Sequence, residues 1–344
     1  MNYRPVAWNV LLDQIHTKEE LESAVGWRQY PSRVLMVTRP DDLLVLPDPT
    51  GFDYIKDYYW RIGIKCGTVV PLAPTGSQFV TIPLTVDSEA SRLMVNKKTF
   101  IQAFPEFSPR TWFTNSEYVP THVIVKPDAG TSGVGISFPD SRQQLAEALV
   151  EGFHAQEILD TEEVPSIQFF IDHRKVHVFG VTVNVVDGPH HIGNKSASKA
   201  LHRSLAKRFL PVLYDLRGKG FRGLGGFDVM RRPGTDLYLV VDPNGRFTGA
   251  SAPCLFARRV GGAVVSWHHQ AVSCGSLEAL TAGIEASGLG FTMENKNGIF
   301  VSMWGTTGYQ KSSVMCVSNN HEVDATRLFN MGIEKGLYGL YQSH

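Results

Sequence analysis

Two short segments carry the residue types that polyphosphate and divalent-cation binding require. The first is Val123-Ile-Val-Lys126-Pro-Asp-Ala-Gly130-Thr-Ser132-Gly133-Val-Gly135-Ile. Glycine lets the backbone approach a phosphate closely, and successive N–H groups can form an anion nest. A lysine ammonium adds a point charge for an α- or β-phosphate. The second segment runs from Gly225-Gly-Phe-Asp228 to Val241-Asp242-Pro-Asn244-Gly-Arg246. Its oxygen ligands, Asp228, Asp242 and Asn244, suit Mg²⁺, which binds one or two carboxylates plus substrate phosphates and keeps waters. Arg246 continues the same alternation and could hold a carboxylate or a developing anionic phosphate. Taken singly, the first segment reads equally well as something ordinary, and the second only in part, because ordinary turn chemistry explains Asp228 less well. Residues 130–135 make a glycine-rich hairpin, and Pro243-Asn244-Gly245 is usual turn chemistry.

Elements must bring these residues together. An apolar run at Thr121–Lys126 predicts a buried strand that delivers Lys126 to the glycine loop. Residues 226–231 and 237–242 predict a strand pair joined by a Pro-Gly turn. That hairpin puts both aspartates at one end of a sheet, and Asn244 on the Asp242 face, because the side-chain period is two. Asn96 predicts the N-cap of a short helix bearing Phe100, Ile101 and Phe104. Asp140 or Ser141 caps another. A long helix is expected from about Ser196, kinked at Pro211 and stopped at Gly218 or Gly220. Residues 167–171 and 176–186 read as antiparallel strands. The first 85 or so residues read as a small α/β unit whose strands include Arg33–Thr38, Val69–Leu72 and Phe79–Ile82.

Other motifs fall away. Gly188-Pro-His-His-Ile-Gly193-Asn-Lys195-Ser196 misses the Walker spacing by its extra Asn194, and Gly223-Leu-Gly225-Gly-Phe-Asp228 fails the last glycine of the dinucleotide fingerprint. His190-His191 and His268-His269 read as turn or surface features. The four cysteines, Cys66, Cys254, Cys274 and Cys316, form no metal pattern and read as reduced, buried thiols, which fits a cytoplasmic protein. The 33 basic residues balance the 33 acidic ones, which removes any electrostatic case for nucleic acid or an anionic membrane as partner. The N-terminus shows no signal-peptide pattern, and no apolar run approaches a membrane span. At 344 residues two or three domains are expected, and a homodimer is the expectation for an enzyme of this size.

A strand-borne lysine before a small-residue loop, then Asp, then Asp-x-Asn-x-Arg, resembles the ATP-grasp superfamily. The stretches Phe221-Arg222-Gly-Leu-Gly-Gly-Phe-Asp228-Val and Val241-Asp-Pro-Asn-Gly-Arg-Phe-Thr-Gly249 look most like its carboxylate–amine ligase branch. The resemblance covers about residues 90 to 255. It implies an α/β (α+β) ATP-grasp fold with an N-terminal Rossmann-like pre-ATP-grasp domain over 1–90, a central subdomain over 91–155 and a C-terminal subdomain over 156–344. It implies ATP and two Mg²⁺ ions as cofactors. Lys126, with Gly130, Ser132, Gly133 and Gly135, resembles the phosphate lysine and its loop. Lys98, or Lys97 beside it, resembles the earlier phosphate lysine. Gln156-Glu157-Ile158-Leu159 resembles the hinge that reads adenine, and Glu163 the acid on the ribose. Asp228, Asp242 and Asn244 resemble the metal ligands, Arg246 the arginine at the acyl phosphate, and Arg222 an auxiliary. Asp242 stands where the family usually has glutamate. The implied activity is ADP-forming ligation of a small carboxylic acid or amino acid to an amine through an acyl phosphate. A variant that loads a carrier protein, a kinase on the same scaffold and a non-catalytic nucleotide-binding protein remain open. Asn194, Arg258, Arg259, Trp304 and Thr306 are the residues considered for the substrate pocket.

Overall fold

The computed structural model describes residues 7–8, 27–46, 49–71, 89–114, 118–129, 135–159, 163–187, 190–261, 264–271, 276–306, 311–319 and 325–340. The chain parts into two compact units, one of residues 1–82, 192–196 and 249–344, the other of residues 83–191 and 197–248. The expected segments 1–90, 91–155 and 156–344 are a different division of the same chain.

The second unit holds every residue of the two opening segments. It begins with helices α1 (Glu89–Val95) and α2 (Lys97–Ala103). Asn96 caps α2, its side chain accepting the Thr99 N–H at 3.0 Å. Strands β1 (Thr111–Trp112), β2 (Val123–Pro127) and β3 (Phe153–Glu157) form a small antiparallel sheet with β3 in the middle. Helix α3 (Arg142–Ala148), capped by Ser141, covers its apolar face. There Val123, Val125, Ala155, Leu145 and Leu149 make a local core. Four antiparallel sheet strands follow, β4 (Pro165–Ile171), β5 (Val176–Asp187), β6 (Gly223–Arg231) and β7 (Tyr238–Asn244), neighbours in the order β7-β6-β4-β5. Helix α4 (Lys199–Gly218) lays Leu205, Phe209, Val212, Leu213 and Leu216 against this sheet, where Phe169, Phe227 and Phe100 close a continuous core. Ser198 caps α4, Pro211 lies inside the helix, and Gly218 is its last residue.

In the other unit, Ala7–Trp8, Leu43–Val45 and Thr68–Val70 pair in parallel, and residues 52–61 form a helix. The strand expected at Arg33–Thr38 is instead part of a 3₁₀ helix over Trp27–Val37. Val34, Leu35 and Met36 are fully buried there. A short apolar run signals burial in either conformation, and only its neighbours decide which. The strand expected at Phe79–Ile82 lies outside the described residues. Farther on, Val264–Ala271, Lys311–Ser318 and Gly298–Met303 run antiparallel in that order. Among the described residues no helix is long and apolar enough to cross a membrane.

Candidate active site

The β6–β7 hairpin sets Asp228 directly opposite Asp242, and Gly226 opposite Asn244. Directly opposed antiparallel residues share a face with Cβ atoms about 5 Å apart. On its other side β6 pairs with β4, where Ser166 faces Asp228. Ser166 and Asn184 both hydrogen-bond the Asp228 carboxylate. Asn244 donates from Nδ2 to Asp242 Oδ2 at 3.2 Å, and its amide oxygen is an acceptor. Burial first, and the Asp242 charge second, push Asp228 above the usual carboxylate range. Two carboxylates held this close without relief are unfavourable, and the arrangement calls for cations. Lys97 supplies one, its Nζ 3.1 Å from Asp242 Oδ1. Arg246 supplies another, attracted by both aspartates. The donor set fits Mg²⁺: hard oxygens, two carboxylates and one carboxamide, with room left in the shell for phosphate and water oxygens. Among the described residues no three His, Cys, Asp or Glu side chains gather into a cage that would hold an ion alone.

The glycine pair before Asp228 is explained by packing. A Cβ on Gly225 would lie 2.6 Å from the Phe169 ring. Gly225 thus lets β6 sit tightly on the aromatic core, and Gly226 leaves room for the Gln168 side chain.

Lys126 projects from β2 on the face opposite Val123 and Val125, and is only 8% exposed. Burial pushes its ammonium down to about 8, with Lys97 adding to the shift and Asp242 opposing it. Protonated, Lys126 attracts phosphate; neutral, it does not. Nucleotide affinity should therefore weaken as pH rises through about 8. That limb should be absent from Lys126→Arg, whose guanidinium stays charged. Titrating an ATP analogue at a series of pH values checks both. Gly135, at φ +77°, ends the loop in the left-handed region that glycine tolerates. Gly130, Ser132 and Gly133 lie outside the described residues.

The lysine doublet is split by the fold. Lys97 reaches Asp242, whereas the Lys98 ammonium sits 5.5 Å from the centre of the Phe113 ring. Lys97→Met should raise the KM for ATP by ~10–100-fold, the worth of one charge-assisted hydrogen bond. Lys98→Met should cost only about threefold, the scale of its half-buried cation–π contact with Phe113. Steady-state titration of ATP separates the two, and equal losses would contradict the split.

The expected hinge follows β3. Gln156 is buried, donating from Nε2 to Thr111 Oγ1 at 3.2 Å, while its Oε1 has no partner in the protein. Glu157 Oε1 accepts the Arg110 N–H at 2.9 Å and Arg232 Nη2 at 2.5 Å. Ile158 is partly buried and Leu159 is buried. Glu163 is exposed, two residues before β4.

Residues 94–250 match the model of the ATP-grasp domain family. This chain carries an ATP-grasp domain. Solved structures of the same fold include N5-carboxyaminoimidazole ribonucleotide synthetase from Thermotoga maritima, at 11% identity and a TM-score of 0.53, covering 93% of this chain and 97% of that one. Biotin carboxylase from Campylobacter jejuni, complexed with an ATP analogue, aligns at 10% identity and 0.54 over 86% of this chain and 74% of that one. The N5-carboxyaminoimidazole synthetase from Staphylococcus aureus, complexed with ADP, aligns at 10% and 0.53 over 86% and 90%. At such identities the likeness shows the fold alone. No curated protein matches the sequence.

Within the ATP-grasp domain, Arg222 stands apart from the other expected residues. It precedes β6 by one residue and lies six positions before Asp228, about 20 Å of extended chain. Its guanidinium donates to the Arg217 and Phe221 carbonyls and lies against His173. Of the residues considered for the substrate pocket, Asn194, Trp304 and Thr306 are buried, while Arg259 donates to the Met36, Thr38 and Lys65 carbonyls. Sequence reasoning missed Asn184, which reaches Asp228 from β5. Ser166 was not read as a partner of Asp228 either. The only sequence signal for either was a polar residue in an otherwise apolar strand.

Proposed function

We propose that this protein is an ATP-dependent, ADP-forming ligase that couples a small carboxylic acid or amino acid to an amine. The observation that carries the reading is the opposition of Asp228 and Asp242 beside Asn244, Arg246 and Lys97, in the unit that also bears Lys126. A binding site for neutral or purely organic ligands has no use for so many opposed charges. A triphosphate with magnesium has a use for all of them. Magnesium held by Asp228, Asp242 and Asn244 would neutralise phosphate oxygens. Lys126 and Lys97 bind and orient the polyphosphate, and Arg246 stands ready for the charge that grows on the transferred phosphoryl group. An oxygen of the substrate carboxylate attacks the γ-phosphorus and ADP leaves, giving an acyl phosphate. The amine nitrogen then attacks the acyl carbon, phosphate leaves and the nitrogen loses a proton. Catalysis of this kind is positioning and charge stabilisation, with no covalent role for a protein nucleophile. The names of the fold neighbours, two synthetases and a carboxylase, agree with this class of chemistry.

The test is an ADP-release screen of acids crossed with amines, with mass spectrometry of the products. ADP and free phosphate should appear together, and only when acid and amine are both present. A phosphorylated product that accumulates from one substrate alone would make the protein a kinase.

A further inference from the structure

His154 has no part in the chemistry above, yet its surroundings are built around the phosphate lysines. It is fully buried on β3, directly across the ladder from Lys126, so the two side chains share a face. Asp128 follows Lys126 by two residues. Its Oδ1 lies 2.8 Å from His154 Nδ1, so the ring donates there and holds the Nδ1–H tautomer. The main chain of Asp128 is fixed at both ends. Its N–H donates to the Gly152 carbonyl at 2.7 Å, and its carbonyl accepts the Lys97 N–H at 2.7 Å. Lys97 is the first residue of α2, where a backbone donor has no partner within the helix. Asp128 thus joins the strand of Lys126, the strand of His154 and the helix start that bears Lys97. His154 Nε2 is buried without a partner, and Phe113 lies 6.2 Å from the ring.

We propose that the Asp128–His154 pair is the positioning element of the phosphate site, fixing Lys126 and the start of α2 relative to each other so that Lys126 and Lys97 meet one polyphosphate together. The proposal rests on the nucleotide reading of the site. The neutral ring suits the task. Burial pushes its imidazole below the usual histidine range, so it anchors Asp128 without adding a third cation beside two lysines. A histidine that merely filled space would need neither the carboxylate nor the main-chain ties that lead from it to Lys97.

Calorimetric titration of the full-length protein with ATP and magnesium tests this, each variant also being melted to confirm folding. His154→Phe keeps the bulk and removes the Nδ1 bond; it should weaken ATP binding by ~10-fold, the scale of one buried hydrogen bond with a charged partner. His154→Asn places an amide N–H near the Nδ1 position and should restore binding to within about threefold of wild type. Should His154→Phe fail to fold, His154→Gln, whose longer side chain carries its amide past that position, takes its place with the same expected loss. A folded Phe or Gln variant that binds ATP as wild type does overturns the proposal, as does an Asn variant no better than Phe or Gln. If wild type itself binds no ATP, the nucleotide reading falls and takes the proposal with it.

Discussion

Asp228→Ala should abolish ADP release, lowering kcat by more than ~1,000-fold, a loss at the upper end of what a single electrostatic group contributes. The change removes one of the two carboxylates that face each other across β6 and β7, and strands the Ser166 and Asn184 donors that hold it. Asp228→Asn refines the experiment, because it keeps shape and an acceptor oxygen while removing the charge. A group whose folded pKa is raised above its unfolded value contributes stability below the unfolded pKa, and loses it as pH rises through the folded one. Asp228 is raised from 3.8 by burial and by Asp242, so its ionised form is a strain on the metal-free protein at neutral pH. Asp228→Asn should therefore melt at or above the wild-type temperature at pH 7 without metal, while being as inactive as the alanine variant. Melting curves and a coupled ADP assay measure the two properties separately. Turnover at the wild-type level in either variant would remove Asp228 from the site.

The parts of this arrangement that sequence made legible are those with local signals. The β6–β7 hairpin announces itself by alternation and a Pro-Gly turn, and the caps at Asn96 and Ser141 by residue type at the head of an apolar period. Lys126 is legible because an apolar strand ends just after it. The doublet Lys97-Lys98 was not resolvable. Consecutive helical residues point about 100° apart, and which one meets Asp242 depends on how α2 packs against β7, a tertiary fact. Asn184 and His154 were invisible for a related reason. Each acts on a residue that a sheet brings near from tens of positions away in the chain, where no spacing rule applies. The Trp27–Val37 helix shows the converse failure: burial was readable in Val34-Leu-Met, but backbone conformation was not.

Lys126→Met should lower kcat/KM for ATP by ~100–1,000-fold, through loss of the phosphate contact and of its charge in a shielded site. Methionine matches the length and apolar stem of lysine, so packing beside His154 and Asp128 is preserved. The stability effect has the opposite sign. Burial lowers the folded pKa of Lys126 from 10.5 to about 8, so the protonated form is disfavoured in the folded state. At pH 7 the lysine therefore burdens the nucleotide-free fold, and the burden fades as pH rises between the two values. Lys126→Met should melt above wild type at pH 7, with the difference shrinking towards pH 10. A variant that is inactive because it unfolds melts lower, not higher. Loss of turnover with no loss of melting temperature is the outcome that a functional charge predicts, and it is expected of Lys126→Met and Asp228→Asn alike. A Lys126→Met protein that releases ADP at the wild-type rate would sink the assignment, and one that melts below wild type would contradict the electrostatic account of why this lysine is buried.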